Sequence, residues 1–171
     1  MKQDELFPIV TPEGEVVGSA TRRECHGGSM LLHPVVHLHL VTPDGRIFLQ
    51  KRVSTKDIQP GKWDTAVGGH VDYGEAVEDA LRREAREELG YEARNPHHIV
   101  TYVFQSSRER ELVNVFAECV EPSVQLHLAP EEIDEGRFWT PDELSKAEEA
   151  GLLTPNFVSE YHRIAQQLAC L

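Results

Sequence analysis

The sequence predicts an α/β protein in which a central mixed β-sheet lies between helices. Short runs rich in β-branched residues alternate apolar and polar positions, as half-buried strands do. Amphipathic helices are predicted in the middle of the chain and near its end, and a sheet flanked by helices is the economical way to bury both. The chain has 171 residues, 40% of them hydrophobic. This suits a single domain over residues 1–171, with a short N-terminal β extension at about residues 1–30.

The first half of the chain is predicted to be mostly extended. Thr42-Pro43-Asp44-Gly45 is a strong turn signal, so residues 35–52 are predicted to form a hairpin. Residues 53–62 are predicted to be a polar loop, and the extended run after them leads into a helix. The predicted extended segments are residues 6–10, 15–22, 31–41, 46–52 and 63–71.

The second half of the chain mixes helices with strands. An apolar stripe at helical spacing predicts a helix over residues 75–89. Thr140 is a suitable N-cap and Pro141 a suitable first helical residue, so a short helix is predicted to begin there. The remaining predicted elements are strands at residues 98–105, 111–119 and 136–140 and a last helix at residues 157–168.

Composition and charge exclude several classes of partner. The formal net charge of −12 argues against binding to a nucleic-acid backbone, which needs a basic face. It is compatible with a small phosphorylated ligand held by a few local cations. No hydrophobic run is long enough to cross a membrane, so no membrane partner is expected. Cys25, Cys119 and Cys170 are an odd number at irregular spacing, which favours reduced thiols in the cytoplasm over a disulfide framework.

Residues 69–91 carry most of the functional information in the sequence. A glycine turn leads into a helix that places Glu84 one turn away from both Glu87 and Glu88 and ends at Gly90. Three carboxylates within one turn repel each other, and Mg²⁺ is usually held by a few carboxylates together with substrate phosphates. Taken alone, the same residues also fit an ordinary acidic helix face exposed to solvent.

The spacing of this segment resembles the Nudix box. The matching positions are Gly69, Glu75 and the run Arg-Glu-Ala-Arg-Glu-Glu-Leu-Gly at residues 83–90. Tyr91 departs from the pattern, because an aliphatic residue is usual there. The resemblance implies the Nudix fold, in which a mixed sheet lies between helices. It also implies that the three glutamates of the helix hold Mg²⁺ or Mn²⁺.

Several further motifs lie outside the glutamates of the box: Cys25-His26 followed by His33, Gln50-Lys51-Arg52 with Lys56 and Pro60-Gly61-Lys62-Trp63, Val67-Gly68-Gly69-His70, Arg83, and Glu109-Arg110-Glu111. Through them the chain resembles, over roughly residues 20–145, one branch of this family, the isopentenyl-diphosphate isomerases and their hydrolase-like relatives. Alternate residues of a strand face the same way, so two glutamates in a Glu-Arg-Glu run can point at one centre. Three imidazoles and two carboxylates suit a mid-row divalent metal such as Mn²⁺ or Zn²⁺ better than Mg²⁺. The residues of this candidate second metal site are His26, His33, His70, Glu109 and Glu111.

Several basic side chains near these acidic residues have different predicted roles. Arg52 and Lys56 flank a loop expected to face the site, and the resemblance assigns them to diphosphate binding. A solvated basic loop is the alternative. Arg83 belongs to the catalytic group and is expected to hold the helix glutamates by salt bridges. His37 and His39 share the predicted strand face of a ligand histidine, and both a site-lining role and hydrogen bonding within a semi-polar core fit them.

Gly68 decides between the two chemistries that the resemblance offers. The isomerase needs a thiol at this position to move a proton at carbon, and glycine has none, whereas every box glutamate is present. The prediction is therefore a Nudix hydrolase that cleaves a diphosphate linkage in a nucleoside or other organic diphosphate, with Glu84, Glu88 or Glu111 accepting the proton. An isomerase-like enzyme and a non-catalytic metabolite-binding module are the alternatives. Many of the proteins that it resembles are dimers, so the resemblance allows a homodimer.

Overall fold

The computed structural model describes residues 2–56, 59–169 and 171. A short 3₁₀ helix at Lys2–Asp4 precedes the first strand. The strands are β1 (Leu6–Val10), β2 (Val16–Thr21), β3 (Leu32–Val41), β4 (Ile47–Arg52), β5 (Trp63–Thr65), β6 (Val67–His70), β7 (His97–Gln105), β8 (Arg110–Cys119) and β9 (Ile133–Trp139). The α-helices are α1 (Arg22–His26), α2 (Val77–Leu89), α3 (Pro141–Glu149) and α4 (Pro155–Leu168).

A seven-stranded mixed sheet forms the centre of the protein. β3 runs parallel to β8, with Leu32 opposite Arg110 and Val41 opposite Cys119. The other pairings of this sheet are antiparallel: β7 lies beside β8, β6 beside β3, and β5 and β9 beside β4. β1 and β2 pair with each other in a separate two-stranded sheet.

β3 and β4 separate soon after the turn that joins them. They pair only where Val41 faces Ile47. Beyond that point β6 occupies the edge of β3 at residues 35–38, and β5 pairs with β4 at residues 49–51. These short strands satisfy the backbone groups that a continuous hairpin would have used. The hairpin predicted over residues 35–52 is therefore confirmed only at its turn, and the two arms of the sheet diverge.

Helices cover both faces of the sheet, which confirms the predicted α/β class. On one face α2 packs Leu81 and Leu89 into an apolar core with the strands. On the other face α4 contributes Phe157 and Ile164 to a second core, together with side chains of α3. Glycine and polar residues line the gap between the sheet arms, so this gap is where a ligand can reach the interior.

Helix starts follow local capping chemistry. α3 begins after Thr140, which accepts a hydrogen bond from the third helical N–H as the sequence predicts. α2 begins at Val77, two residues later than predicted. α1 (Arg22–His26) was missed, because the sequence predicts no element over residues 23–26 and places Arg22 at the end of an extended run. The signal for it was the capping box formed by Thr21 and Glu24.

Cys25 is a buried free thiol and Cys119 an exposed one, while Cys170 lies outside the described residues. Burial raises the pKa of Cys25 to about 11, so this thiol stays protonated at neutral pH. In the described part of the chain, no helix is both long enough and apolar enough to cross a bilayer.

Candidate active site

A cleft of about 1290 Å³ opens between the diverging arms of the sheet. β3, β4, β5, β6 and α2 form its walls, and residues around β1 close one end. Acidic side chains outnumber arginines and lysines in this lining by eleven to four. An anionic substrate would be repelled by such a surface, so binding one requires further positive charge, as a divalent cation provides.

Glu84 and Glu88 project from α2 into the cleft. Glu88 Oε1 accepts a hydrogen bond of 2.9 Å from Gln50 Nε2. Its other oxygen, Oε2, is buried and has no hydrogen-bond partner among the described residues. Burial and the neighbouring Glu84 raise the pKa of Glu88 well above its usual value, although Gln50 opposes the shift. Burial likewise raises the pKa of Glu84. A buried carboxylate oxygen without a donor is suited to a cation.

Arg83 holds the acidic groups of α2 in place. Its Nε and Nη2 donate to the two oxygens of Glu75 at 2.9 and 3.0 Å. Nη1 donates to Glu84 at 2.9 Å and to Glu87 at 3.3 Å, and Nη2 also reaches the His70 carbonyl oxygen at 3.0 Å. Hydrogen bonds to Glu75 raise the pKa of Arg83 despite partial burial. All three nitrogens of the Arg83 guanidinium thus donate hydrogen bonds within the protein. The exposed Glu87 carboxylate lines the cleft.

Gly69 makes the room that the Glu84 carboxylate occupies. A Cβ at this position would lie 2.1 Å from Glu84 Cδ and 2.5 Å from Glu84 Oε1. Real Cβ atoms do not come so close to another heavy atom, because overlap of this size is strongly repulsive. Any residue other than glycine in β6 here would therefore push the carboxylate out of its present position.

The five residues of the candidate second metal site lie together beside the same cleft. His26 Nε2 is 3.1 Å from His70 Nε2 and 3.3 Å from Glu109 Oε2. His33 Nε2 is 4.0 Å from Glu111 Oε2. In the described part of the chain, the sets of three or more potential ligand atoms within 4.8 Å of one another are His26, His33, His70 and His33, Glu109, Glu111.

The protonation states of this cluster suit ligands. Burial lowers the pKa of His26 to about 4 and lowers those of His33 and His70 as well, so all three imidazoles are neutral at pH 7. Burial and then Glu109 raise the pKa of Glu111 to about 7. His33 Nδ1 is 3.0 Å from the carbonyl oxygen of residue 31. That contact leaves Nε2 directed at the cluster, where it has no hydrogen-bond partner among the described residues.

Arg52 and Lys56 both line the cleft, opposite α2. Arg52 Nη1 lies 3.7 Å from Asp64 Oδ2, and Lys56 contacts Glu132 closely. Both cations are less than a third exposed. Residues 57 and 58 of the predicted loop lie outside the described residues. Both side chains therefore line the cleft with an acidic neighbour beside them.

A family model described as the NUDIX domain matches residues 31–161. The chain belongs to the Nudix family. The matched region begins after α1, so β1, β2 and the ligand candidate His26 precede it, whereas the glutamates of α2 and the other cluster residues lie within it.

Two curated relatives of the chain carry different names. An uncharacterized Nudix hydrolase of Yersinia pestis is 31% identical over 141 residues, which are 82% of this chain and 76% of that protein. An isopentenyl-diphosphate Delta-isomerase of Kocuria rhizophila is 35% identical over 91 residues, 53% of this chain and 51% of that protein. The chain spans about half the length of the first curated relatives that it matches.

Solved structures support the Nudix fold over nearly the whole chain. The crystal structure of DR0079 from Deinococcus radiodurans superposes with a TM-score of 0.78 and 27% identity, covering 94% of this chain and 99% of that one. The MutT protein from Methanosarcina mazei superposes with a TM-score of 0.64 at 22% identity, over 80% of this chain and 94% of that one. At that identity the second match shows the fold alone.

Sequence reasoning assigned no role to three contacts of the site. Gln50 donates to Glu88. Phe7 stacks on the His70 ring with centroids 4.5 Å apart and planes within 3° of parallel. His37, left unassigned, bonds to Glu160 at 2.8 Å. Each contact joins segments that are distant in sequence, so local patterns carry no signal for it.

Proposed function

We propose that this protein is a metal-dependent Nudix hydrolase that cleaves a diphosphate linkage in a nucleoside or other organic diphosphate. Family membership supports the reaction class. The observation that carries the proposal is the partly buried pair of carboxylates at Glu84 and Glu88, because one Glu88 oxygen is buried and lacks any donor among the described residues. An arrangement that costs stability in this way is typical of a functional site.

Glu84, Glu87 and Glu88 would hold one or more Mg²⁺ or Mn²⁺ ions. Oxygen donors suit both ions, and the unpartnered Glu88 Oε2 fits a cation. A bound ion would neutralise charge on the phosphates and make water a better nucleophile. Arg83 keeps the carboxylates of α2 directed at the cleft through its bonds to Glu75, Glu84 and Glu87.

His26, His33, His70, Glu109 and Glu111 would hold a second divalent ion. Their neutral imidazoles and partly buried carboxylates fit Mn²⁺ or Zn²⁺, and the buried His33 Nε2 without a described partner supports a ligand role. Phe7 packs on one face of the cluster and keeps water from that side.

The remaining residues of the cleft would bind substrate and move a proton. Arg52 and Lys56 would receive the diphosphate, Arg52 by paired hydrogen bonds and Lys56 as a point charge. Glu84, Glu88 and Glu111 line the cleft, and each is a carboxylate that can accept the proton of the attacking water.

An isomerase-like activity on isopentenyl diphosphate is the second candidate, because the complete His/Glu cluster and the name of the Kocuria relative favour it. Gly68 argues against it. Glycine offers no group that can donate or accept the proton at carbon. An allylic isomer formed without release of phosphate would identify this activity directly.

A hydrolysis panel tests the proposed function. Purified protein with Mg²⁺ or Mn²⁺ is offered nucleotide sugars, dinucleotides, nucleoside triphosphates and prenyl diphosphates, and released phosphate or nucleoside monophosphate is measured. Glu87→Gln and Glu88→Gln should each lower turnover by at least about 100-fold while the protein stays folded. Glu78→Gln is the matched control, since Glu78 lies on the same helix and pairs with Arg82 outside the cleft. Near wild-type rates in both Glu87→Gln and Glu88→Gln would refute the proposed hydrolase function.

A further inference from the structure

His37 is a cleft residue that the proposed chemistry has not used. It lies in the middle of β3, opposite Gly68 of β6, and its side chain is 23% exposed. Its ring lines the cleft together with Glu88, Glu111 and Arg52. It therefore shares the cleft with members of both groups of candidate metal ligands and with the cations assigned to phosphate.

Glu160 of α4 fixes the orientation of this ring. The Glu160 side chain is 1% exposed and has three neutral or cationic donors. His37 Nδ1 lies 2.8 Å from Oε1, Tyr102 OH donates to Oε1 at 2.6 Å, and His39 Nε2 lies 2.6 Å from Oε2. Because Nδ1 is committed to a buried carboxylate, the Nε2 edge of the His37 ring points to the opposite side, toward the cleft.

The Nε2 edge has no hydrogen-bond acceptor among the described residues. Gly68 leaves it open, since a Cβ there would lie 3.4 Å from His37 Cδ2 and 3.7 Å from Nε2, and a longer side chain would cover it. Burial lowers the pKa of His37, but the Glu160 charge and hydrogen bond outweigh this and raise it to about 9. At neutral pH the ring is thus a cation with an N–H directed into an acidic cleft.

We propose that His37 Nε2 donates a hydrogen bond to a phosphoryl oxygen of the bound diphosphate, with Glu160 as its positioning residue. The inference rests on the proposed function and adds a substrate-binding cation to it.

The other cation near the helix glutamates, Arg83, already donates its hydrogen bonds to the glutamates around it. The acidic partner of His37 is buried and does not line the cleft, so His37 can meet a phosphate without giving up its own ion pair. A hydrogen bond between two charged groups is among the stronger contacts available.

Two substitutions of His37 separate its two ring nitrogens. In His37→Asn the amide nitrogen overlays Nδ1, so the bond to Glu160 is kept and the cleft-facing donor is removed. In His37→Gln the amide nitrogen overlays Nε2, so the cleft-facing donor is kept without its charge. His39→Gln is the control, because it keeps the donor to Glu160 at a fully buried site that does not line the cleft.

The ligand probe is methylenediphosphonate with Mg²⁺, a diphosphate analogue that cannot be hydrolysed. We expect His37→Asn to weaken its binding in calorimetry by at least about 10-fold, His37→Gln to weaken it less, and His39→Gln to leave it within about 2-fold. Adding the probe to the wild type should shift the ¹⁵N signal of His37 Nε2. Glu160→Gln should move the same signals toward neutral imidazole and weaken binding, which a purely structural role would not do.

Wild-type affinity in folded His37→Asn, or an unshifted Nε2 signal, would overturn the inference. So would the absence of binding to the wild type at millimolar probe. The two proposals fail separately. If His37→Asn hydrolyses normally while Glu88→Gln is inactive, only the role of His37 is wrong. If Glu87→Gln and Glu88→Gln both keep near wild-type activity, the proposed function itself fails, whatever the binding data show.

Discussion

Gly69→Ala should lower turnover of the proposed hydrolase without unfolding the protein. The new methyl carbon would lie 2.1 Å from Glu84 Cδ. Ordinary contact between carbons needs about 3.5 Å, so the carboxylate must move by at least about 1.4 Å. Misplacing a reacting group by about 1 Å can cost about 100-fold. We therefore expect kcat/KM to fall by about 100-fold, which corresponds to about 2.7 kcal/mol of transition-state stabilisation.

The stability of Gly69→Ala should change by less than about 1 kcal/mol. The backbone at Gly69 is not in the left-handed region, and the end of the Glu84 side chain can turn into the cleft. The assay is kcat/KM with a substrate identified by the hydrolysis panel, alongside urea unfolding. Gly18→Ala on exposed β2 is the control, since its Cβ would meet nothing within 4 Å. Unchanged kcat/KM in folded Gly69→Ala would refute the link between the position of Glu84 and turnover.

Two further expectations concern the ion pairs of the site. Arg83→Lys should lower kcat and reduce the free energy of unfolding by roughly 1–2 kcal/mol, because lysine cannot donate in a bidentate way to Glu75; equal unfolding curves would contradict this. The contribution of the His37–Glu160 pair to stability should be full between about pH 4.5 and pH 6.5, since the pKa of Glu160 is lowered from its ordinary 4.5 despite burial. It should disappear as pH rises through about 9, since burial lowers the pKa of His37 but Glu160 outweighs this and raises it to about 9. Urea unfolding across this range should show a loss of roughly 1–3 kcal/mol that is absent in Glu160→Gln.

Local patterns in the sequence predicted most of the fold. Strand alternation, the stripe on α2 and the cap at Thr140 depend on neighbours within a few residues, so periodicity and capping rules reach them. α1 was not predicted, because five residues are too few to show the periodic apolar positions of a helix. The divergence of β3 from β4 was not predicted either, since it depends on β6 pairing with the edge of β3 and on β5 pairing with the edge of β4.

The candidate site was predictable where its residues occur in a spaced motif. The glutamates of α2 stand within one helical turn, and the His/Glu cluster matches the spacing of a known family. The bond between His37 and Glu160 joins residues 123 positions apart, and although His37 stands out in the sequence, no local pattern links it to Glu160. The space that Gly69 leaves for the Glu84 carboxylate could not be predicted either. A glycine in a Gly-Gly pair predicts a turn as readily as a close contact between the backbone and a side chain.

The parallel pairing of β3 with β8 has a consequence for how the protein folds. β4, β5, β6, α2 and β7 lie between these strands in sequence, so a long loop must close before they meet, and such contacts form slowly. His33 faces Glu111 in the native alignment. A slip of one residue would turn Glu111 to the opposite face of the sheet. The candidate second metal site can therefore assemble only after β3 and β8 have paired in the correct register. A chain in which β8 is misaligned by one residue would be compact, but it could not bring the ligands of this site together.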